Sequence, residues 1–313
     1  MTSPGIHHVT AIAGDPRRNL DFYAGTLGLR LVKKTVNFDD PGTYHFYFGD
    51  AAGSPGSILT FFPWAHAASG RLGTGEVQET AFRVPEAALG FWLARFVEKG
   101  VSHGPVETRF GVRRLPFKDP DGLALALVAV PGADSDAAWS APGIEDAAAV
   151  RGLLGVTLLL ESTGVTADIL SGVFGFRTLG AEGVITRLQT PEAGLGSVVD
   201  LRAVGGFPRG RLGRGSVHHL AFRAVDDAAQ ALMADKLARD HGLRVTDQKD
   251  RNYFRSVYAR EPGGVLFEIA TDDPGFAVDE RPAELGRALK LPPALEPQRA
   301  AIAARLPDLG GAT

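Results

Sequence analysis

The chain has 313 residues, of which 44% are hydrophobic and 22% charged, with a formal net charge of -3. This composition suits a globular protein of about two domains and excludes a disordered chain, a coiled coil or a collagen-like repeat. A charge balance so close to neutral gives no electrostatic case for nucleic acid or a membrane surface. Cysteine is absent, so disulfides, thiol nucleophiles and Cys-bound zinc or iron–sulfur sites are excluded, and any metal must rest on His and carboxylate. No secretory signal opens the sequence and no apolar run is long enough to span a membrane, which makes the cytoplasm the expected location.

Taken in order, the chain repeats one plan four times: a short strand, an amphipathic helix with a glycine exit, then further strands. The openings are GIHHVTAIAG, EVQETAFRVP, LLGVTLLLES and SVHHLAFRAVD, each apolar or alternating as a strand requires. The helical continuations end at Gly28, Gly100, Gly175 and Gly242, where a left-handed cap is expected. In the second, Leu89, Trp92, Leu93, Phe96 and Val97 are spaced to share one face. The stretches HFYFGDAAGSPGSILTFF, RRLPFKDPDGLALALV, VITRLQTPEAGLGSVVDL and SVYAREPGGVLFEIA supply the later strands, with Asp121-Gly122 and Gly263-Gly264 as tight turns.

The predicted fold is therefore α+β: four βαβββ modules forming two curved-sheet half-barrels with helices outside. One such module cannot bury both faces of its sheet, whereas two side by side enclose a cup. A Pro-, Asp- and Ala-rich linker over 131–150 divides the chain into an N-terminal domain (1–145, modules one and two) and a C-terminal domain (146–272, modules three and four). A tail over 273–313 carries a short helix in EPQRAAIAARLPDL.

Two of the modules open on paired histidines, IHHVTA and VHHLAF. Strand alternation sends neighbours to opposite faces. His7 with Val9 and Ala11, and His218 with Leu220 and Phe222, fall on the apolar row that packs on helices; His8 and His219 fall on the cup side. In VLFEIAT, Glu268 lies between the apolar Phe267 and Ile269 and also faces the cup. A carboxylate in such surroundings is costly unless paired or bound to a metal. Two imidazoles and one carboxylate on rigid strands make a 2-His-1-carboxylate set, which leaves metal positions open for substrate and O₂. The module-one counterpart of Glu268 is about Thr60, so a fourth protein ligand is not evident. In module two the matching positions are Glu79 and about Ala126, which offer no such set. His45 is either structural or a cup residue, while His66, His103 and His241 read as loop or helix-end residues.

These segments resemble the vicinal oxygen chelate superfamily, and within it the ring-cleaving branch typified by hydroquinone 1,2-dioxygenases. The resemblance runs over nearly the whole chain, through HHVTAIAGD, DFYAGTLGLRLVKKTVNFDDPGTYHFYFGD, GSPGSILTFFP, SVHHLAFRA, DRNYFRSVYAREPGGVLFEIATD and LGRALKLPP. It implies a ring-cleaving dioxygenase using Fe(II), sometimes Mn(II), held by residues corresponding to His8, His219 and Glu268. It further implies a hydrogen-bonding role for Tyr258, charge stabilisation by Arg251 and acid/base work by His218, although strand phase points His218 away. The implied partners are a small aromatic substrate, a hydroquinone or catechol, and O₂. Self-association through exposed sheet edges or the tail fits the same reading. Phe46, Phe48, Phe61 and Phe254 are candidate walls of the cup. Two alternatives are a glyoxalase-type lyase or isomerase, which needs a second carboxylate where Thr60 stands, and a metal-free binding protein, which has no need of the ligand set.

Overall fold

The computed structural model describes residues 4–310 and contains the four modules in succession. Module one comprises β1 (Ile6–Ala13), α1 (Pro16–Leu20) continuing into a π turn (Asp21–Thr26), β2 (Arg30–Asn37), β3 (Asp40–Gly49) and β4 (Ile58–Pro63). Module two has β5 (Glu76–Val84), α2 (Leu89–Glu98), β6 (Glu107–Arg109), β7 (Val112–Lys118) and β8 (Ala124–Ala129). Module three has β9 (Leu153–Leu160), α3 (Gly164–Gly172), β10 (Arg177–Glu182), β11 (Ile185–Gln189) and β12 (Val198–Ala203). Module four has β13 (Ser216–Ala224), α4 (Asp227–His241), β14 (Lys249–Asp250), β15 (Phe254–Arg260) and β16 (Leu266–Pro274), and α5 (Arg299–Arg305) lies in the tail. The four exit glycines all take positive φ, between 64° and 73°. An L side chain there would be strained, so these residues end the helices.

The strands form two eight-stranded sheets. The first runs β14-β15-β16-β13-β1-β4-β3-β2 and the second β10-β11-β12-β9-β5-β8-β7-β6. Modules one and four thus build one sheet, and modules two and three build the other. Each sheet is joined at its centre by an antiparallel pair of module-opening strands, β1 with β13 and β5 with β9. The chain crosses between sheets twice, over 64–75 and 204–215. These crossings meet through the bridges Ser69–Arg214, Arg71–Arg211 and Thr74–Arg209. A Cβ at Gly73 would stand 2.3 Å from the Gly210 nitrogen, so this approach of two backbones requires glycine.

The helix-facing rows form the main core, where Phe48 and Phe61 pack on Tyr23 and Phe46 packs on Phe48. On α2 the buried stripe is narrower than the spacing predicts. Leu89, Trp92 and Phe96 are buried, while Leu93 and Val97 are 37% and 68% exposed. Trp92 also donates to the Ala148 carbonyl at 2.8 Å, which ties the 131–150 linker to the helix.

The tail docks on the first sheet. Lys33 of β2 is fully buried, and its ammonium lies 2.5 Å from both Asp279 and Glu280. Tyr253 donates to the other Asp279 oxygen at 3.1 Å. Removing one partner of such a group leaves buried charge uncompensated. Lys33→Ala should destabilise the protein by about 3–5 kcal/mol, read as a fall in the denaturation midpoint and earlier proteolysis of the tail.

Glu76, at the start of β5, is buried and neither of its carboxylate oxygens accepts an aligned hydrogen bond, the Gly73 N–H and Arg71 easing its charge only in part. Burial raises its pKa to about 7. The folded state therefore holds a proton that the unfolded chain has released, and stability declines as pH rises from the ordinary carboxylate range through about 7. Glu76→Gln should flatten that decline and stabilise the protein at pH 8 by on the order of 1 kcal/mol. Thermal melts of both proteins across pH check this.

Candidate metal centre

The first sheet curves around a cavity of about 220 Å³, at whose floor His8, His219 and Glu268 meet. The three offer donor atoms within 4.8 Å of one another, and all three residues are buried. Among the described residues this is the one His/carboxylate group with metal-binding spacing. Glu268 Oε2 is 2.9 Å from His219 Nε2 and 3.4 Å from His8 Nε2. Its other oxygen accepts from Ser256 Oγ at 2.5 Å. Oε2 itself receives no aligned hydrogen bond, although the residue is fully buried. Burial alone would raise the Glu268 pKa, but the two imidazoles outweigh it and hold the carboxyl well below its usual range. His219 is lowered by burial, against the opposing pull of Glu268. An ionised carboxylate with an unfilled oxygen, facing two Nε2 atoms, fits a divalent cation.

The paired histidines sit in reciprocal β-bulges. On β1, Ile6 pairs with Phe222 and His8 with Ala221, leaving His7 extra; on β13, Thr10 pairs with His219 and Ala11 with Val217, leaving His218 extra. A bulge breaks the period of two. His7 and His218 therefore do not turn to the helices as strict alternation requires. His7 packs its ring on Phe254 and places Nδ1 2.9 Å from His8 Nδ1. His218 lines the cavity, with Nδ1 2.8 Å from His219 Nδ1. One nitrogen of each such pair must carry the hydrogen. A proton on Nδ1 of His8 and His219 leaves both Nε2 lone pairs free toward Glu268. Burial, and then the neighbouring imidazole, keeps the outer pair neutral: His7 is held well below its ordinary pKa and His218 is lowered to about 4.

Register confirms which positions correspond. Thr60 pairs with Thr10 in β1–β4 as Glu268 pairs with Ala221 in β13–β16. Thr60 is occupied by hydrogen bonds to Thr10 at 3.0 Å and to His45 at 2.7 Å. Tyr47 holds the far nitrogen of His45 at 2.9 Å. His45 thus both lines the cavity and is structural; burial, then His219 and His8, hold it well below its ordinary pKa.

Tyr258 lies directly opposite Glu268 in the β15–β16 pair, and its ring is 5.9 Å from that of His219. Arg251 donates to the Tyr258 hydroxyl at 3.2 Å and reaches Asp39, at the turn between β2 and β3, at 3.1 Å. That ion pair joins the outer ends of the sheet across the cavity. Burial and then Glu268 push the Tyr258 pKa up, opposed by Arg251, so the phenol keeps its proton at neutral pH.

The walls correct part of the sequence reading. Phe254 lines the cavity, but Phe46, Phe48 and Phe61 face the helices; Phe38, Phe62 and Trp64 take their place. Ser256 was also missed. Both errors have the same remedy: alternation along β3, β4 and β15, which puts His45 and Tyr47, Thr60 and Phe62, and Ser256 and Tyr258 on the cup side. The loop residues Phe38 and Trp64 carry no such signal.

Comparison with known proteins agrees with this architecture. Residues 5–127 match the Glyoxalase/Bleomycin resistance protein/Dioxygenase superfamily model. The chain is 47% identical over 298 residues to MhqO, a candidate ring-cleaving dioxygenase of Bacillus subtilis, covering 95% of this chain and 94% of that one. It is 32% identical to the chlorohydroquinone/hydroquinone 1,2-dioxygenase of Sphingobium indicum, covering 93% and 92% of the two chains. A crystal structure of a candidate dioxygenase from Bacillus subtilis superimposes with a TM-score of 0.94 at 45% identity, covering 98% of this chain and 97% of that one. The chain belongs to the Glyoxalase/Bleomycin resistance protein/Dioxygenase superfamily. Within that superfamily it is an enzyme of the ring-cleaving dioxygenase group. No helix among the described residues is long and apolar enough to cross a membrane.

Proposed function

We propose that the enzyme opens the ring of a hydroquinone or catechol with O₂, using Fe(II), or Mn(II) in its place, held by His8, His219 and Glu268. The observation that carries this reading is the partnerless Glu268 Oε2 facing two Nε2 atoms whose opposite nitrogens are already engaged. One carboxylate and two neutral imidazoles leave a divalent ion with one net positive charge, suited to a phenolate. When bound, the metal supplies the Lewis acidity that favours the phenolate and the electrons that activate O₂.

The chain's own residues do the remainder. The cavity, below the roughly 300 Å³ at which drug-sized sites begin, suits a single ring between Phe38, Phe62, Trp64 and Phe254. Tyr258 keeps its proton and donates a hydrogen bond from its hydroxyl to oxygen on the substrate. Arg251, fixed by Asp39, offsets negative charge as the ring is attacked. With Nδ1 accepting from His219, neutral His218 carries its hydrogen on Nε2 and acts as a donor. A lyase reading loses support because Thr60, at the fourth-ligand position, is already bonded to Thr10 and His45.

Protein purified without air and loaded with Fe(II) should hold one metal per chain by elemental analysis. Protein that retains no iron after loading would refute the reading. His7→Ala and His218→Ala keep all three proposed ligands but lose the groups that orient them. Each should weaken metal binding by about 10–100-fold in a competitive chelator titration.

A further inference from the structure

The second sheet encloses its own cavity, also of about 220 Å³. It is the pseudo-symmetric counterpart of the metal cup, yet its floor is rebuilt. By register, Gly155 stands where His8 does, Glu79 replaces His219, Ala126 replaces Glu268 and Asp200 replaces Thr60. A Cβ at Gly155 would lie 1.8 Å from the Val198 carbonyl oxygen, so no ligand side chain fits that position. Glu79 and Asp200 are engaged by arginines instead. Arg187 holds Asp200 through two bonds of 2.8 Å, and Arg114 and Arg109 hold Glu79.

Arginine outnumbers carboxylate around this cavity. Arg83, Arg109, Arg114 and Arg187 line it against only Glu79 and Asp200. Two further acids balance the set from outside the lining: Asp136 on Arg83, 33% exposed, and Glu107 on Arg114, 44% exposed. Water screens those outer charges more than the inner guanidinium groups. Arg83 is 7% exposed and Arg114 is 4% exposed. Arg83 Nε is buried with no acceptor, although the other two nitrogens are bonded to Gly194 and Asp136. The rest of the wall is mainly apolar, from Ala81, Val128, Leu154 and Leu179, with Thr157, Gln189 and Ser197 as its uncharged polar members.

The mouth has a built cover. Phe110 and Gly111 form the two-residue turn between β6 and β7, with φ of 48° and 74°. Such a turn favours Asn or Gly at its first position, and a bulky residue there is strained. Here the Phe110 ring lies over the Arg187 guanidinium at 4.1 Å, and its backbone N–H donates at 2.6 Å to Glu182, on the tip of β10 at the opposite edge of the sheet. Strain of this kind persists where the side chain is needed.

We propose that this second cup is a binding site for a small organic carboxylate, whose anionic end meets the arginines and whose apolar body lies under Phe110. The four arginines of the lining, which outnumber its own two carboxylates, supply recognition of the carboxylate. The volume admits one ring or a short unsaturated chain. This proposal is independent of the metal and of the reaction assigned to the first cup.

The test is calorimetric titration of sodium benzoate into the iron-loaded enzyme under argon, with three variants. Wild type should bind one equivalent, with Kd on the order of 1 mM or below. Ala81→Phe, which fills the second cup, should weaken binding by roughly tenfold or more. Phe110→Gly, which suits the turn better and so keeps the fold, should also weaken binding while leaving or raising Tm. Phe62→Trp, which narrows the metal cup, should leave benzoate affinity unchanged. Saturable binding that survives Ala81→Phe and Phe110→Gly, or that is lost in Phe62→Trp, would overturn the proposal. So would the absence of saturable binding in wild type.

Discussion

Glu268→Ala should yield a folded protein that no longer retains metal. Glu268 is fully buried and supplies the one anionic donor of the set. Its removal should cost more affinity than the roughly 10–100-fold expected for an outer partner. The fold should survive, because His8 and His219 keep their Nδ1 contacts with His7 and His218 and Ser256 loses only one acceptor. Two readouts separate metal loss from unfolding. Far-UV circular dichroism should match wild type, and the rise in Tm that added metal gives the wild-type protein should vanish, since ligand stabilisation scales with occupancy. Metal content equal to wild type in this variant would show that the ion sits elsewhere.

Tyr258→Phe should keep the metal and lower kcat by roughly 10²–10⁴-fold, the range expected for loss of a proton donor in the transition state. The substitution removes one hydroxyl from a ring held by its place opposite Glu268 and by the Arg251 guanidinium 5.5 Å from the ring centre. Arg251 keeps its contact with Asp39, so the bridge across the cup remains. The loss should therefore appear in kcat more than in KM. A normal rate would make Tyr258 a packing residue and leave Arg251 as the candidate for charge stabilisation.

The parts legible in the sequence are those governed by short periods. The module repeat, the four glycine exits and the phase of His8, His219 and Glu268 all follow from local spacing, and each appears in the structure. Where the period breaks, reading by alternation breaks with it. The bulges at His7 and His218 move both rings beside their neighbours, and a bulge depends on the pairing of two strands more than 200 residues apart in sequence. Long-range partners were equally hidden. Nothing near Lys33 marks Asp279 and Glu280 as its partners. Nor does any motif show that Glu79, Arg109, Arg114, Arg187 and Asp200 gather in one cavity. Leu93 and Val97 fit the α2 stripe by spacing, but only the width of the neighbouring surface decides that they stay exposed.

The most direct test of the account is O₂ uptake by enzyme loaded with Fe(II) under argon and then mixed with hydroquinone in air-saturated buffer. The account predicts one O₂ consumed per substrate molecule, with the aromatic absorbance replaced by that of a ring-opened unsaturated acid. Protein shown to hold iron that consumes no O₂ with any hydroquinone or catechol would contradict it.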